Sequence, residues 1–470
     1  MMKQSILSAI IFFSIFLVLQ ISTVRAQQNQ LILSDAIKTG LNNYQNILAK
    51  RNYANASAAL VQNTKNQYLP DVTASIQQAY GTINGQFGAI GSFAGGAGLS
   101  SSGPNYSNQS WNAAFGSIYL INTNWEFISF GRLQSKIDVA NKQLLLDSAN
   151  LTQEKFVQSV KIAGAYLNLL ISQRFVQNAQ SNVDRATYVQ QTVIARTKSG
   201  LNPGVDSSIA NSDLSSARLT LIQAINNEQQ QRNQLCQLIN IVPDVLFLDS
   251  SYFANKPSGY NTSFPVANNP QVQFFKSRID QSSSTEKYLQ KSINPGLNLF
   301  GTFQGKASGF DYNYTPLNDA NYSKNYFDGV NPSRYNYVVG IGIAWNVISP
   351  AKIKQQVKAQ HFVTAAYQDE YDLISTQLKD QLLLSDQQIE NSMNSIKEVP
   401  FEYKAASDAY QQKTVLYKNG LTNIVDVQQA LYNLNRAETD LSVAYINVWQ
   451  ALLLKAAASG DFDLFMKQVK

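Results

Sequence analysis

Cysteine, histidine and charge are all scarce in this chain. Its 470 residues include a single Cys (Cys236) and a single His (His361). A disulfide framework is therefore excluded, and a zinc site or a histidine-based hydrolase lacks its usual parts. Charged side chains make up 14% of the sequence, against about 25% in ordinary domains. Gln, Asn, Ser and Thr supply the polarity instead. Lys and Arg are scattered and the formal charge is only +6, so nucleic acid is not expected as a partner. Beyond the N-terminus, no segment approaches the ~18 apolar residues of a membrane helix. The Gly-rich stretch Gly88–Gly103 has no complete phosphate-loop spacing and reads as a loop. With no cofactor or metal motif in view, no enzyme is expected.

What is present begins with a leader. Lys3 precedes an apolar run from Ile6 to Leu19, and Val24-Arg25-Ala26 offers small residues for cleavage before polar Gln27-Gln28. The spacing predicts a signal peptide over 1–26; the run is short of the ~20 residues that an uncleaved anchor needs. Loss of Lys3 and Arg25 leaves a mature charge of +4. No Cys follows the leader, so lipid attachment at a mature N-terminal cysteine is not available.

The mature chain matches itself at an offset of 220. Trp125, Ile128 and Ser129 fall on Trp345, Ile348 and Ser349, and Gly200, Leu201, Val205 and Asp206 fall on Gly420, Leu421, Val425 and Asp426. One register held over so many residues marks an internal duplication, with halves at 27–245 and 246–470 and a tail after about 459. Each half reads helix, strand, loop, strand, very long helix, tight turn, helix. Strands are expected at about 71–80, 115–127, 296–304 and 336–347, from apolar residues at every second position. Tyr337, Val339, Ile341, Ile343 and Trp345 form a large apolar face opposite small residues, which suits a barrel with lipid outside; a soluble sheet over a core fits the same pattern. Ser34 is expected to cap the first helix, which Pro70 ends.

Long helices are expected at about 131–199 and 351–419: from Arg132 to Lys198 and from Ala351 to Lys418 the one strong breaker is Pro400, and each run predicts ~100 Å of helix at 1.5 Å per residue. Val176, Ala179, Val183, Ala186 and Val193, and likewise Ile389, Met393, Ile396, Tyr403 and Tyr410, recur at period 3.5, the mark of supercoiled partners. Pro400 in that stripe should kink its helix. Four strands cannot close a barrel, and open edges are not tolerated in hydrocarbon, so several copies must share one. Helices so long and so rich in Gln and Asn must stand in water.

The duplicated plan, with turns Lys198-Ser199-Gly200-Leu201-Asn202-Pro203-Gly204-Val205-Asp206 and Tyr417-Lys418-Asn419-Gly420-Leu421-Thr422-Asn423-Ile424-Val425-Asp426, resembles the TolC family of outer-membrane efflux channels. The resemblance implies an α+β membrane protein: a homotrimer sharing a 12-stranded antiparallel barrel, four strands per chain, continued by an α-helical coiled-coil barrel in the periplasm. It implies an exit duct for efflux or type I secretion, partnered by a periplasmic adaptor, an inner-membrane transporter and outer-membrane lipid. A soluble periplasmic coiled-coil scaffold is the alternative. The same resemblance places the periplasmic gate at Asp206, Tyr417 and Asp426, with Thr422 where an Arg is expected and Gln429 where a second acidic residue is. Gly200, Leu201, Gly420 and Leu421 form the adaptor-docking turns. Read without it, Gly200 and Gly420 are helix C-caps and Asp206 and Asp426 are N-caps. Trp125 and Trp345 end the second strand of each pair, as girdle aromatics or as core under the rim.

Overall fold

The computed structural model describes residues 30–85, 90–91, 99–100, 106–243, 246–258, 265–315 and 317–469. The leader and most of Gly88–Gly103 lie outside them. The chain divides into two units, one made of Ser57–Leu144 and Asp280–Thr364, the other of the remainder.

The first unit is built on a sheet of β1 (Asp71–Thr82), β2 (Ala113–Ile128), β3 (Gly296–Ser308) and β4 (Arg334–Ala344). The order is β1-β2-β3-β4 and every pair is antiparallel. Period-two alternation dictates the faces, because successive side chains leave a strand on opposite sides. The register collects Val72, Ile76 and Tyr80 with Tyr119, Ile121 and Trp125, then Leu297, Leu299 and Phe303, then Tyr337, Val339, Ile341 and Ile343. The other face is mostly polar, with Asp71, Thr73, Ser75, Gln77, Asn122, Asn124, Thr302, Gln304, Lys306, Arg334 and Asn336 among Ile118, Leu120, Phe300 and Val338.

The apolar face is left largely uncovered, as it would not be in a soluble sheet. Tyr337 is 82% exposed, Ile343 73%, Val339 69% and Ile76 67%. Each such side chain left in water forgoes about 1.5–3 kcal/mol. Among the described residues both β1 and β4 have an unpaired edge. Trp345 lies one residue beyond β4, which stops at Ala344 rather than near 347. There the Asn346 side chain accepts from the Ile348 backbone N–H at 3.2 Å and turns the chain into the next helix.

The second unit is helical. It contains α1 (Leu33–Asn43), α4 (Gly204–Ile239), α8 (Ile424–Ser459) and α9 (Asp463–Met466). It shares with the sheet unit α2 (Gln45–Asn66), α3 (Arg132–Lys198), α5 (Pro270–Lys291) and α7 (Ser349–Lys418); the sheet unit alone holds the short α6 (Tyr326–Val330). Helix α7 is continuous through Pro400 over 70 residues. Its main core joins Leu33, Ile162, Tyr166, Leu169, Leu235, Ile239, Trp449, Leu452 and Phe465. Tyr166 binds two chain segments here: its hydroxyl donates to the Leu31 carbonyl at 2.8 Å and accepts from the Asp249 N–H at 3.0 Å. Burial pushes its phenol up to about 12.

Four expectations are corrected here. The first helix is not capped by Ser34: it starts at Leu33, with Ile32 as N-cap and no side-chain bond. It is also broken at Tyr44, whose extended backbone separates α1 from α2. Among the described residues one helix, Ile424–Ser459, is long and apolar enough to cross a membrane, but its apolar window is 61% buried in the fold and serves as core. Along the seam Ala179, Ala186, Val193, Ile389 and Ile396 are buried, whereas Tyr403 is exposed. Cys236 is buried, and His361 is exposed with Nδ1 3.7 Å from Glu286.

Candidate functional site

The helical turns after α3 and α7 are built alike. Gly200 and Gly420 each sit at φ +73°, the left-handed region that glycine enters without Cβ strain. The N–H of Gly200 reaches the Thr197 carbonyl at 3.0 Å and that of Leu201 the Arg196 carbonyl at 2.9 Å. Gly420 and Leu421 repeat both bonds to Tyr417 and Leu416. These paired bonds close each helix in a Schellman motif. Leu201 and Leu421 are left 67% and 71% exposed.

Asp206 and Asp426 are not N-caps. Pro203 and Asn423 occupy those positions, and the Asn423 side chain accepts from the Asp426 N–H at 2.9 Å. Each aspartate is the third residue of its helix, where a carboxylate favours the positive end of the dipole. Each accepts from the side chain four residues earlier: Asp206 from Asn202 at 2.7 Å, Asp426 from Thr422 at 2.5 Å. The duplication thus preserves a local bond with a changed donor.

Tyr417 is 3% exposed, packed among Val189, Val193, Ala210, Ile424 and Val427. Its hydroxyl does not donate to Asp206. The Asn202 amide nitrogen stands between them, donating to Tyr417 at 3.1 Å and to Asp206 at 2.7 Å. Burial raises the phenol above its usual range, the Asp206 charge adds to this, and Arg196 opposes it, so it stays protonated at neutral pH.

A guanidinium is present, from the other half of the chain. Arg196 Nε donates to the Asn202 side-chain oxygen Oδ1 at 2.8 Å, and Nη1 to the Lys418 backbone carbonyl at 2.7 Å. Its charge lies 5.5 Å from the Tyr417 ring centroid. Arg196, Asn202, Asp206 and Tyr417 thereby form one polar cluster joining both turns. Sequence reading missed Arg196 and Asn202. Their one signal was position, Arg196 four residues before Gly200 and Asn202 two after it.

Asp426 stands apart from this cluster. Besides Thr422 it meets Lys413 Nζ at 2.9 Å, and these two partners hold its carboxyl below the usual carboxylate range. Gln429 instead donates to Asn433 at 3.0 Å. Asp426→Asn should keep the Thr422 contact but leave the Lys413 charge unmatched.

Trp125 and Trp345 are partly exposed, at 37% and 55%, and both indole N–H groups are engaged. Trp125 donates to the Tyr68 carbonyl at 2.7 Å, and Trp345 to the Ile293 carbonyl at 3.0 Å. Each acceptor lies two residues before the proline that precedes a strand, Pro70 or Pro295. Such rings have an apolar body toward the sheet face and a satisfied polar edge.

Residues 36–240 match the sequence profile described as outer membrane efflux protein. No curated protein matches the chain in sequence. Among solved structures it is similar to the outer membrane protein VceC from Vibrio cholerae, with 14% identity, 91% of this chain and 96% of that chain covered, and a TM-score of 0.71. The CmeC outer membrane channel of Campylobacter jejuni gives 13% identity, coverage of 91% and 85%, and a TM-score of 0.71. The open state of the MtrE outer membrane channel of Neisseria gonorrhoeae gives 15% identity, coverage of 91% and 88%, and a TM-score of 0.69.

Proposed function

From the match of residues 36–240 to the outer membrane efflux protein profile, together with the fold, we infer that this chain belongs to that family and forms the exit duct of an export system, as a homotrimer with no catalytic chemistry of its own. The observation that carries the reading is the sheet: an apolar face exposed in the single chain, a mostly polar face opposite, and two edges unpaired among the described residues. With three antiparallel steps from β1 to β4, the edge strands run in opposite directions. Strand β4 of one copy therefore meets β1 of the next antiparallel, and three copies close twelve strands with the polar faces inward. The long helices continue the duct in the periplasm.

Periplasmic adaptor and inner-membrane transporter are the partners this reading requires, since the duct has no energy source. Leu201 and Leu421, held outward at the Schellman turns, are the docking points for the adaptor. The Arg196–Asn202–Asp206–Tyr417 cluster is the latch that holds the tunnel mouth, and Asp426 lines the mouth beside it.

Purified trimers should produce single-channel conductance in planar bilayers and should leave outer membranes only in detergent. Release by carbonate as monomers would instead establish the soluble scaffold.

A further inference from the structure

The connection from β3 to β4 does not arch away from the sheet; part of it lies back on the apolar face. Helix α6 and the following Asn331–Ser333 form a strap across the upper rows of β2 and β3. The hydroxyls of Ser117 and Tyr119 both donate to the Val330 carbonyl, at 3.0 and 3.1 Å, and the Ser333 N–H donates to the Lys306 carbonyl at 3.0 Å. The seat is cut from small residues. A Cβ on Gly329 would stand 2.2 Å from the Phe115 carbonyl oxygen, and one on Gly305 would stand 3.3 Å from Pro332. Tyr326 packs edge-on against Phe115 at 5.2 Å, which in turn meets Tyr80 at 4.8 Å, and its hydroxyl donates to Gln78 at 2.9 Å.

Three features fix what this strap faces. It lies on the same side as Ile121, Phe303 and Val339, the face the barrel turns to lipid. Its inward side satisfies two hydroxyls that would otherwise point unpaired into hydrocarbon. Its outward side keeps aromatic surface exposed, Phe327 at 63% and Tyr326 at 42%. The height is also right. Phe115 lies ten residues along β2 from Trp125, about 33 Å of strand, which at a tilt near 40° spans about 25 Å, the height of the apolar band of an outer-membrane barrel.

We propose that the strap 326–333 is a membrane-interface element, seated on the outside of the barrel and inserting Phe327 at the headgroup–acyl boundary of the outer leaflet. The occupant of its outward surface is lipid. The proposal rests on the outer-membrane reading and extends it to a segment that strand counting assigns to a loop in water.

Three single substitutions to cysteine test it: Phe327→Cys on the strap, Val339→Cys on the sheet face, and Tyr312→Cys, a loop position 94% exposed. Each is labelled with an environment-sensitive fluorophore and reconstituted as a trimer in phosphatidylethanolamine/phosphatidylglycerol vesicles. The label on unsubstituted protein gives the contribution of buried Cys236. The expected result is quenching by bromine-substituted acyl chains at 327 and 339, with blue-shifted emission, and quenching by aqueous iodide alone at 312. Iodide quenching at 327 as strong as at 312 would overturn the proposal, placing the strap in water. So would resistance to both quenchers at 327, which would mean a protein cover. Iodide quenching at 339 as well would instead show that the outer-membrane reading itself had failed.

Discussion

A Gly420→Val chain is expected to reach the outer membrane as trimers and to export at least about tenfold less than the parent. Gly420 has φ +73°, where a β-branched residue costs about 1–3 kcal/mol whatever space surrounds it. The space is limited as well, because a Cβ there would lie 3.4 Å from Arg196 Nη2, the guanidinium that reaches over to Lys418. The strain is relieved by opening the turn, which removes the Leu421-to-Leu416 bond and lets the exposed leucine leave its place. A loss of 1.4 kcal/mol in docking is already tenfold in affinity. Gly200→Val should be somewhat milder, since nothing lies within 4 Å of a Cβ there and backbone strain acts alone. Dye efflux, scored beside trimers recovered from outer membranes, measures both. Full efflux by the Gly420→Val protein would refute the docking role of the turn.

The second large effect is expected at Asn202. Replacing it with Ala removes the one group that touches Tyr417, Asp206 and Arg196 together. A hydrogen bond to a charged partner contributes about 1.5–3 kcal/mol. In the proposed trimer three chains act in one duct, and about 5.5 kcal/mol suffices to turn a 1:99 population into 99:1. Asn202→Ala should therefore raise conductance in planar bilayers markedly and sensitise cells to large antibiotics. Tyr417→Phe should do so less, because Asn202 keeps its bonds to Asp206 and Arg196. Asp206→Asn should be milder again, since an amide oxygen still accepts. Unchanged conductance in Asn202→Ala would mean that the packing of Tyr417 against Val193, Ile424 and Val427 closes the mouth instead.

That Tyr417 and Asp206 are joined through Asn202 and not directly shows where sequence reading stops. Strand faces, long helices and both glycine turns were legible because each follows from a repeat or from a backbone angle few residues accept. The 220-residue offset also carried the aspartates to equivalent places. What escaped depends on reach rather than pattern. Arg196 and Asn202 meet across a reversal of the chain, six residues apart, through side-chain conformations that no periodicity encodes. The guanidinium expected at 422 was looked for in the wrong half. Tyr44 escaped for another reason: a one-residue break leaves the apolar period of α1 and α2 nearly undisturbed. Residues 326–330 read as loop since five residues are too few to show a period.

The two tryptophan bonds have a bearing on how this chain came to be. In each half an indole fastens the end of a strand pair to the segment that enters it, and the acceptor is a main-chain carbonyl. Every residue has that carbonyl, so Tyr68 in one half and Ile293 in the other serve equally well. After a gene doubles, such a fastening constrains only one of its two members. The donor position must remain an indole while the acceptor position is free to drift. The two halves fit this: Trp faces Trp, whereas Tyr68 and Ile293, each two residues before the proline that precedes a strand, differ. In a trimer the fastening places six like rivets around the foot of the barrel, so an assembly of three chains inherits, at that level, the regularity of a ring of six.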